Sequence, residues 1–138
     1  MLFRSSAAEI EKLRRVNQLV AGVLAELRGL AVPGATTLDI DRRAEQLVRD
    51  AGAEPAFKGY RGFPATICAS VNEQVVHGIP SKRPLLTGDI LAIDMGAKMD
   101  GFYGDSAVTV AVGDVSEGAH RLLRVTEEAL FQIGRAHV

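Results

Sequence analysis

Apolar residues recur at helical intervals in the first part of the chain. Ser6 and Glu9 have the spacing of a capping box, in which each residue satisfies a free backbone group at the start of a helix. The apolar positions that follow lie three or four residues apart: Ile10, Leu13, Val16 or Asn17, Val20, Leu24 and Leu27. This pattern predicts a long amphipathic helix from about Ala7 to Leu27.

A second helix is predicted after the Pro33-Gly34 connection. Thr37 is suited to cap its start and Gly52 to end it. Its apolar positions are Leu38, Ala44, Leu47 and Val48, and its charged positions, expected to face solvent, are Arg42, Arg43, Glu45 and Arg49.

The pattern then changes to one typical of a sheet. Residues 58–64 are predicted to form a loop and residues 65–71 a largely buried strand, followed by a bend that contains His77. Asp100-Gly101 indicates a hairpin turn between strands at 90–95 and 108–112, because Gly and Asp both tolerate the positive φ angles of a type I′ turn. A last helix is expected from about Ser116, with Leu122, Leu123, Val125 or Thr126, and Leu130 as its apolar positions.

The hairpin brings two acidic residues together. If Asp100 and Gly101 form a two-residue loop, the residue numbers of any two paired positions add up to 201. Asp94 then lies opposite Ala107, and Asp105 is diagonal to Asp94 on the same face. Side chains in that relation have Cβ atoms about 7–8 Å apart. Two carboxylates at this separation are suited to hold one or two divalent cations, which predicts half of a metal site.

The spacing alone leaves other interpretations open. A three-residue loop would place the two carboxylates on opposite faces. Separately, Asp94 fits a chance polar residue in a strand, and Asp105 fits a turn residue. His77, taken by itself, fits an ordinary loop histidine, and Cys68 fits a small buried apolar residue.

Composition narrows the class of protein. The chain has 138 residues, enough for one domain, and 47% of them are hydrophobic. Sixteen basic and seventeen acidic residues give a net charge of −1, which provides no broad basic surface for nucleic acid or an anionic membrane. A single cysteine suits a reducing compartment, and neither a signal peptide nor a membrane span is evident, so we expect a cytoplasmic protein.

Three motifs together resemble the type I methionine aminopeptidases. They are Tyr-Arg-Gly-Phe-Pro at 60–64 with Ile-Cys at 67–68, Ser-Val-Asn-Glu at 70–73 with His-Gly-Ile-Pro at 77–80, and Gly-Asp-Ile at 88–90 leading to Gly-Phe-Tyr-Gly-Asp at 101–105. The similarity runs from about Glu9 to Leu130. It implies an α+β fold, namely the N-terminal half of a pita-bread fold with helices packed on a mainly antiparallel sheet.

The resemblance also implies roles for individual residues. Asp94 matches a carboxylate that chelates one metal ion and Asp105 one that bridges two, and the ions are divalent Co, Mn, Fe or Zn. His77 matches a catalytic histidine that contacts substrate near the scissile bond. Tyr60, Phe63 and Cys68 match the pocket for the substrate methionine side chain, although Phe63 and Phe57 stand where the family often has Tyr and a smaller residue.

The chain is expected to hold only part of such an active site. In the family, one further His and two Glu ligands and a second catalytic His lie in a C-terminal half, and neither His120 nor His137 is placed to substitute. We therefore expect residues 1–132 to be a partial, inactive catalytic domain with an exposed apolar surface and an unpaired sheet edge. Residues 133–138 are expected to be a non-native tail, because their sequence matches a translated sequencing adapter.

For the whole protein, the resemblance implies removal of the initiator methionine from nascent chains by a monomer, in association with the ribosome. Two other functions stay open. One is another pita-bread hydrolase, a prolidase or Xaa-Pro aminopeptidase. The other is a binding module of the same fold that recognises proteins without catalysis.

Overall fold

The structure, a computed structural model, describes residues 4–133. Its elements are α1 (Ala7–Leu30), α2 (Thr37–Asp50), β1 (Glu54–Pro55), a 3₁₀ turn (Tyr60–Gly62), β2 (Ile67–Val71), β3 (Ile90–Met99), β4 (Phe102–Ala111) and α3 (Glu117–Ile133).

β3 is the central strand of the sheet. β4 pairs with it along one side, while β2 and β1 pair with successive parts of its other side. Every one of these pairings is antiparallel. The predicted α+β class with a mainly antiparallel sheet is therefore confirmed.

One face of the sheet is the core face. On β3 its residues are Leu91, Ile93 and Met95, none of which has any exposed surface, and they belong to the same apolar cluster as residues of α1 and α2. Gly104 of β4 lies so close to α1 that an added Cβ would be 3.0 Å from the carbonyl oxygen of Val16. A side chain at that position would push α1 away from the sheet.

The helix starts follow the predicted chemistry, with one correction. Glu9 accepts a hydrogen bond from the backbone N–H of Ser6 and its own N–H donates to the Ser6 hydroxyl, so the capping box is present. In α2, Thr36 and not Thr37 is the cap: its hydroxyl accepts a 3.1 Å hydrogen bond from the N–H of Asp39. Thr37 is buried instead, where its hydroxyl accepts a hydrogen bond from the N–H of Ser81.

Several helices and strands begin or end at other residues than predicted. α1 continues three residues past Leu27, and the hairpin strands extend to the turn itself. β2 begins at Ile67, two residues after the predicted start, because the N–H groups of Thr66 and Ile67 donate to the Asp41 carboxylate and not to another strand. Ser116 precedes α3 and accepts a hydrogen bond from the N–H of Ala119.

The predicted tail of residues 133–138 is only partly within the described residues. α3 continues through Ile133, so the first residue of that segment is helical. Residues 134–138 lie outside the described residues.

α3 differs from the first two helices because none of its residues is buried. An open groove of about 960 Å³ separates it from the face of the sheet that α1 and α2 leave free. Over residues 4–133, the outer side of β4 has no strand partner. The expected exposed apolar surface is present on α3, at Leu122, Val125, Leu130, Phe131 and Ile133.

None of the helices within residues 4–133 is long and apolar enough to cross a membrane.

Candidate metal centre

The β3–β4 hairpin places two carboxylates on the free face of the sheet. Asp100 and Gly101 have φ angles of 51° and 80°, as a type I′ turn requires. Asp94 pairs with Ala107 and Asp105 pairs with Gly96. Since side chains alternate between faces along a strand, Asp94 and Asp105 lie diagonally on one face, as the two-residue loop predicted.

The environment of Asp94 disfavours its charged form. The pKa of Asp94 is raised, mainly because the half-buried carboxyl loses hydration and also because the negative charge of Asp105 lies close by. A divalent cation between them would remove this repulsion, so the pair fits the metal that the sequence motifs imply.

His77 is brought to the same site by a loop that β2 holds. Gly78 N–H donates to the Ser70 hydroxyl at 3.0 Å, and its carbonyl accepts from the N–H of Ala69 at 2.8 Å. The loop lies so tightly against β2 that a Cβ on Gly78 would be 2.3 Å from the Ala69 carbonyl oxygen. His77 is exposed, and its charge lowers the pKa of Asp94, which puts its imidazole in the electrostatic range of the carboxylates.

The backbone of His77 is itself unusual. Its φ of 58° is in the left-handed region, which a non-glycine residue adopts at an energetic cost. Such conformations concentrate at functional sites, where the surrounding structure enforces them. Here the enforcing contacts are those of the next residue, Gly78, with β2.

Cys68 lies beside the carboxylates, and its thiol is unreactive. It pairs with Asp94 across β2 and β3, on the same face, and is buried. Burial raises the pKa of its thiol to about 11, with further contributions from the charges of Asp94 and Asp105. The thiol therefore stays protonated at neutral pH and offers an apolar, polarizable surface, not a nucleophile.

The two aromatic residues assigned to the pocket lie around the 3₁₀ turn before β2. Phe63 is half-buried, whereas Tyr60 is 64% exposed and lies 5.4 Å from the Arg61 guanidinium. Their role in binding a methionine side chain stays a prediction.

Sequence reasoning missed the structural roles of two residues that contact β2 or β3. The carboxylate of Asp41 is buried and accepts hydrogen bonds of 2.8 and 3.0 Å from the N–H groups of Thr66 and Ile67, which fixes the entry to β2. The sequence does contain a signal for Asp41, because it interrupts the apolar stripe of α2 between Ile40 and Ala44. An acidic side chain on the buried side of a helix needs a hydrogen-bond donor as its partner. The second is Phe57, whose ring contacts Gly96; only its departure from the family pattern had been noted.

The carboxylate pair does not by itself form a metal site. Within residues 4–133, no cluster of three or more His, Cys, Asp or Glu side chains is arranged to hold a metal ion. Asp94 and Asp105 carry carboxylate oxygens, a ligand type that suits divalent cations, but two residues do not fill a coordination shell.

Comparison with known proteins identifies relatives of this arrangement. The model of metallopeptidase family M24 matches residues 11–137. A methionine aminopeptidase of Clostridium acetobutylicum is 47% identical over 96% of the chain. The crystal structures of methionine aminopeptidases from Thermotoga maritima and Rickettsia prowazekii superpose on 96% of the chain with TM-scores of 0.92, at 41% and 35% identity.

These relatives are longer than the chain. The chain covers 53% of the Clostridium protein and 53% of each of the two solved structures, so it spans about half the length of the relatives it matches. Over that half the fold agrees with theirs, and the expected pita-bread architecture is confirmed there.

Proposed function

This chain belongs to metallopeptidase family M24, and we propose that it forms the N-terminal, metal-binding half of a methionine aminopeptidase. The reaction is hydrolysis of the peptide bond after an N-terminal methionine of a nascent polypeptide. The observation that carries the proposal is the meeting of three elements at one place: the carboxylates of Asp94 and Asp105 share a face, and His77 is held beside them.

In this proposal Asp94 would be a ligand of one divalent ion, and Asp105 would be a ligand shared by two. Co, Mn, Fe and Zn all accept carboxylate and imidazole ligands, and cellular supply decides among them. When bound, such ions would supply Lewis acidity, which lowers the pKa of water and polarises a carbonyl group. The raised pKa of Asp94, caused first by loss of hydration in its half-buried setting and then by the neighbouring charge of Asp105, supports this assignment.

The remaining proposed roles belong to residues around the carboxylates. His77 donates a hydrogen bond to the substrate near the scissile bond, and its strained backbone keeps the imidazole directed there. Tyr60, Phe63 and Cys68 line the pocket for the methionine side chain, for which aromatic rings and a protonated thiol are suitable surfaces.

The chain by itself is proposed to be inactive, because two carboxylates bind a divalent ion weakly and do not complete its shell. In the whole protein, the remaining ligands come from sequence equivalent to the other half of the relatives. We place that protein in the cytoplasm, as a monomer acting on nascent chains at the ribosome.

A reconstitution experiment tests the proposal. The chain is joined at residue 131 to the C-terminal half of the Clostridium acetobutylicum methionine aminopeptidase, and the hybrid is assayed with Co²⁺ or Mn²⁺ on Met-Gly-Met and on Xaa-Pro peptides. We expect hydrolysis of Met-Gly-Met by the hybrid and none by either half alone, with a loss of 10³-fold or more in Asp94→Asn and Asp105→Asn hybrids.

Other results would contradict the proposal. Preference for Xaa-Pro peptides would point to a prolidase-type enzyme. A folded hybrid that binds metal but hydrolyses neither substrate would point to a binding module.

A further inference from the structure

Asp89 is a buried carboxylate that directly precedes β3 and is 6% exposed. One of its oxygens accepts a 2.8 Å hydrogen bond from the side-chain amide of Asn72, and the other accepts a 2.9 Å hydrogen bond from the N–H of Leu86. The Arg83 guanidinium lies 3.8 Å from that second oxygen. The hydrogen bond from Leu86 lowers the pKa of Asp89 against the opposing effect of burial, with smaller contributions from Asn72 and Arg83. The group is therefore ionised near pH 7 and accepts from both donors.

Asn72 is the first residue of the loop that carries His77, which consists of residues 72–78. The N–H of Asn72 donates to the Ile90 carbonyl at 3.0 Å, and its side-chain oxygen accepts a 3.0 Å hydrogen bond from the N–H of Ile90. Its φ of 54° is in the left-handed region, which asparagine tolerates better than most residues. Because Asp89 binds the amide nitrogen and Ile90 binds the oxygen, the Asn72 side chain cannot rotate without breaking two hydrogen bonds.

The His77 loop is held at both of its ends. Gly78 closes the loop on β2, through the hydrogen bonds with Ser70 and Ala69 described above. Asn72 joins the beginning of the loop to the start of β3. Residues 73–77 between these ends are exposed, so burial in a core does not fix their positions. The direction of the His77 imidazole therefore depends on the contacts at the two ends.

Building on the proposed function, we propose that Asp89 is a positioning residue that acts on His77 through Asn72. The carboxylate fixes the Asn72 side chain, Asn72 fixes the beginning of the loop, and the loop directs the imidazole. Asp89 precedes the strand that carries Asp94, so this network ties His77 to the same strand as one of the two site carboxylates. Loss of the network should weaken the hydrogen bond that His77 gives in the transition state and leave substrate binding by other residues intact.

The proposal is tested through kcat and KM of the hybrid for Met-Gly-Met. Asp89→Ala removes the acceptor of two N–H hydrogen bonds, and kcat should fall about ten-fold or more while KM changes less than about three-fold. Asp41→Ala is the matched control. Asp41 is also 6% exposed and accepts two N–H hydrogen bonds, but at the other end of β2. At a temperature where both variants are folded, Asp41→Ala should change kcat less than about three-fold.

A second set of variants shows whether Asp89 acts through His77. In the His77→Ala background, Asp89→Ala should lower kcat by less than about two-fold, because the side chain that it positions is gone. Asn72→Gly breaks the same network in a protein that retains Asp89, and glycine adopts the φ of 54° without strain. This variant should also lose about ten-fold in kcat, and adding Asp89→Ala to it should lower kcat by less than about two-fold.

Two kinetic results would overturn the positioning role. One is a loss in Asp89→Ala that persists in full when His77 is replaced, which is the behaviour of a residue that only stabilises the fold. The other is an unchanged kcat in folded Asn72→Gly.

Hydrogen exchange of the metal-free hybrid tests the network without any activity. The N–H groups of residues 72–78 should exchange about ten-fold or more faster in Asp89→Ala and at an unchanged rate in Asp41→Ala. Unchanged exchange in Asp89→Ala would overturn the network itself. Faster exchange combined with no hydrolysis by the unsubstituted hybrid would overturn the proposed function, and the role of Asp89 in catalysis with it, so the two failures are distinguishable.

Discussion

The two faces of β3 differ in burial and in charge. Leu91, Ile93 and Met95 point into the core beneath α1 and α2 and are fully buried, while Ala92 and Asp94 alternate with them and are only half-buried on the other face. The core face buries apolar surface and stabilises the fold. The other face keeps two like charges together, which costs stability and, in the proposed function, serves to bind a cation.

This contrast shows how a strand positions chemistry. Because alternation along β3 is strict, the packing of Ile93 and Met95 fixes the direction of Asp94 between them. The side chains that hold the carboxylates in place are thus on the opposite side of the sheet from the carboxylates.

The largest expected effect comes from the core face. Ile93→Ala leaves a cavity under α1 and should lower the free energy of unfolding by about 2–5 kcal/mol. Thr109→Ala is the matched control on the other face of the same hairpin, where Thr109 is exposed, and should change it by no more than about 0.5 kcal/mol. Urea unfolding of the hybrid measures both changes. Comparable losses of stability in the two variants would contradict the statement that the core face stabilises the fold and the other face does not.

A smaller loss is expected where the His77 loop meets β2. In Gly78→Ala the added Cβ would meet the Ala69 carbonyl at 2.3 Å, and a backbone atom cannot move aside as a side chain can. We expect a loss of about 1–3 kcal/mol in stability, together with a lower kcat in the hybrid because His77 shifts.

Gly22→Ala in α1 is the control for this change. A Cβ on Gly22 has no neighbour within 4 Å, and alanine is the better helix former, so this variant should be unchanged or more stable. A Gly78→Ala hybrid with unaltered stability and kcat would show that the loop is not held as described.

The smallest expected effect concerns the pair Asp94 and Asp105, and it is a gain in stability where the two changes above are losses. The pKa of Asp94 is raised in the folded chain, first by lost hydration and then by the charge of Asp105. Below the ordinary pKa of 3.8 the carboxyl is protonated and carries neither cost, and stability falls as the pH rises through the raised value. Asp94→Asn should therefore stabilise the metal-free protein at neutral pH, by roughly 0.5–2 kcal/mol, while weakening its affinity for Mn²⁺ or Co²⁺.

Thermal unfolding at pH 3.5 and pH 7 measures this difference, with the exposed Asp114→Asn as control. The gain from Asp94→Asn should be present at pH 7 and largely absent at pH 3.5. A variant less stable than the unsubstituted protein at pH 7 without metal would contradict the electrostatic explanation.

Much of this architecture is predictable because it is local. The capping box of Ser6 and Glu9 and the Asp100-Gly101 turn are contacts between residues close in sequence, and strand alternation then places Asp94 and Asp105 on one face. The wrong cap of α2 shows the limit of local patterns. Thr36 and Thr37 are equally good caps by sequence, and only the contact of Thr37 with the distant Ser81 leaves Thr36 to cap α2.

The sequence by itself determined the carboxylate pair, since a two-residue turn and a period of two require no other part of the molecule. Only the tertiary structure decided what surrounds the pair. Asp41 reaches Thr66 across 25 residues, Gly78 packs on Ala69, and the Phe57 ring covers Gly96. These contacts depend on how separate elements pack in space, and no spacing within one element encodes them.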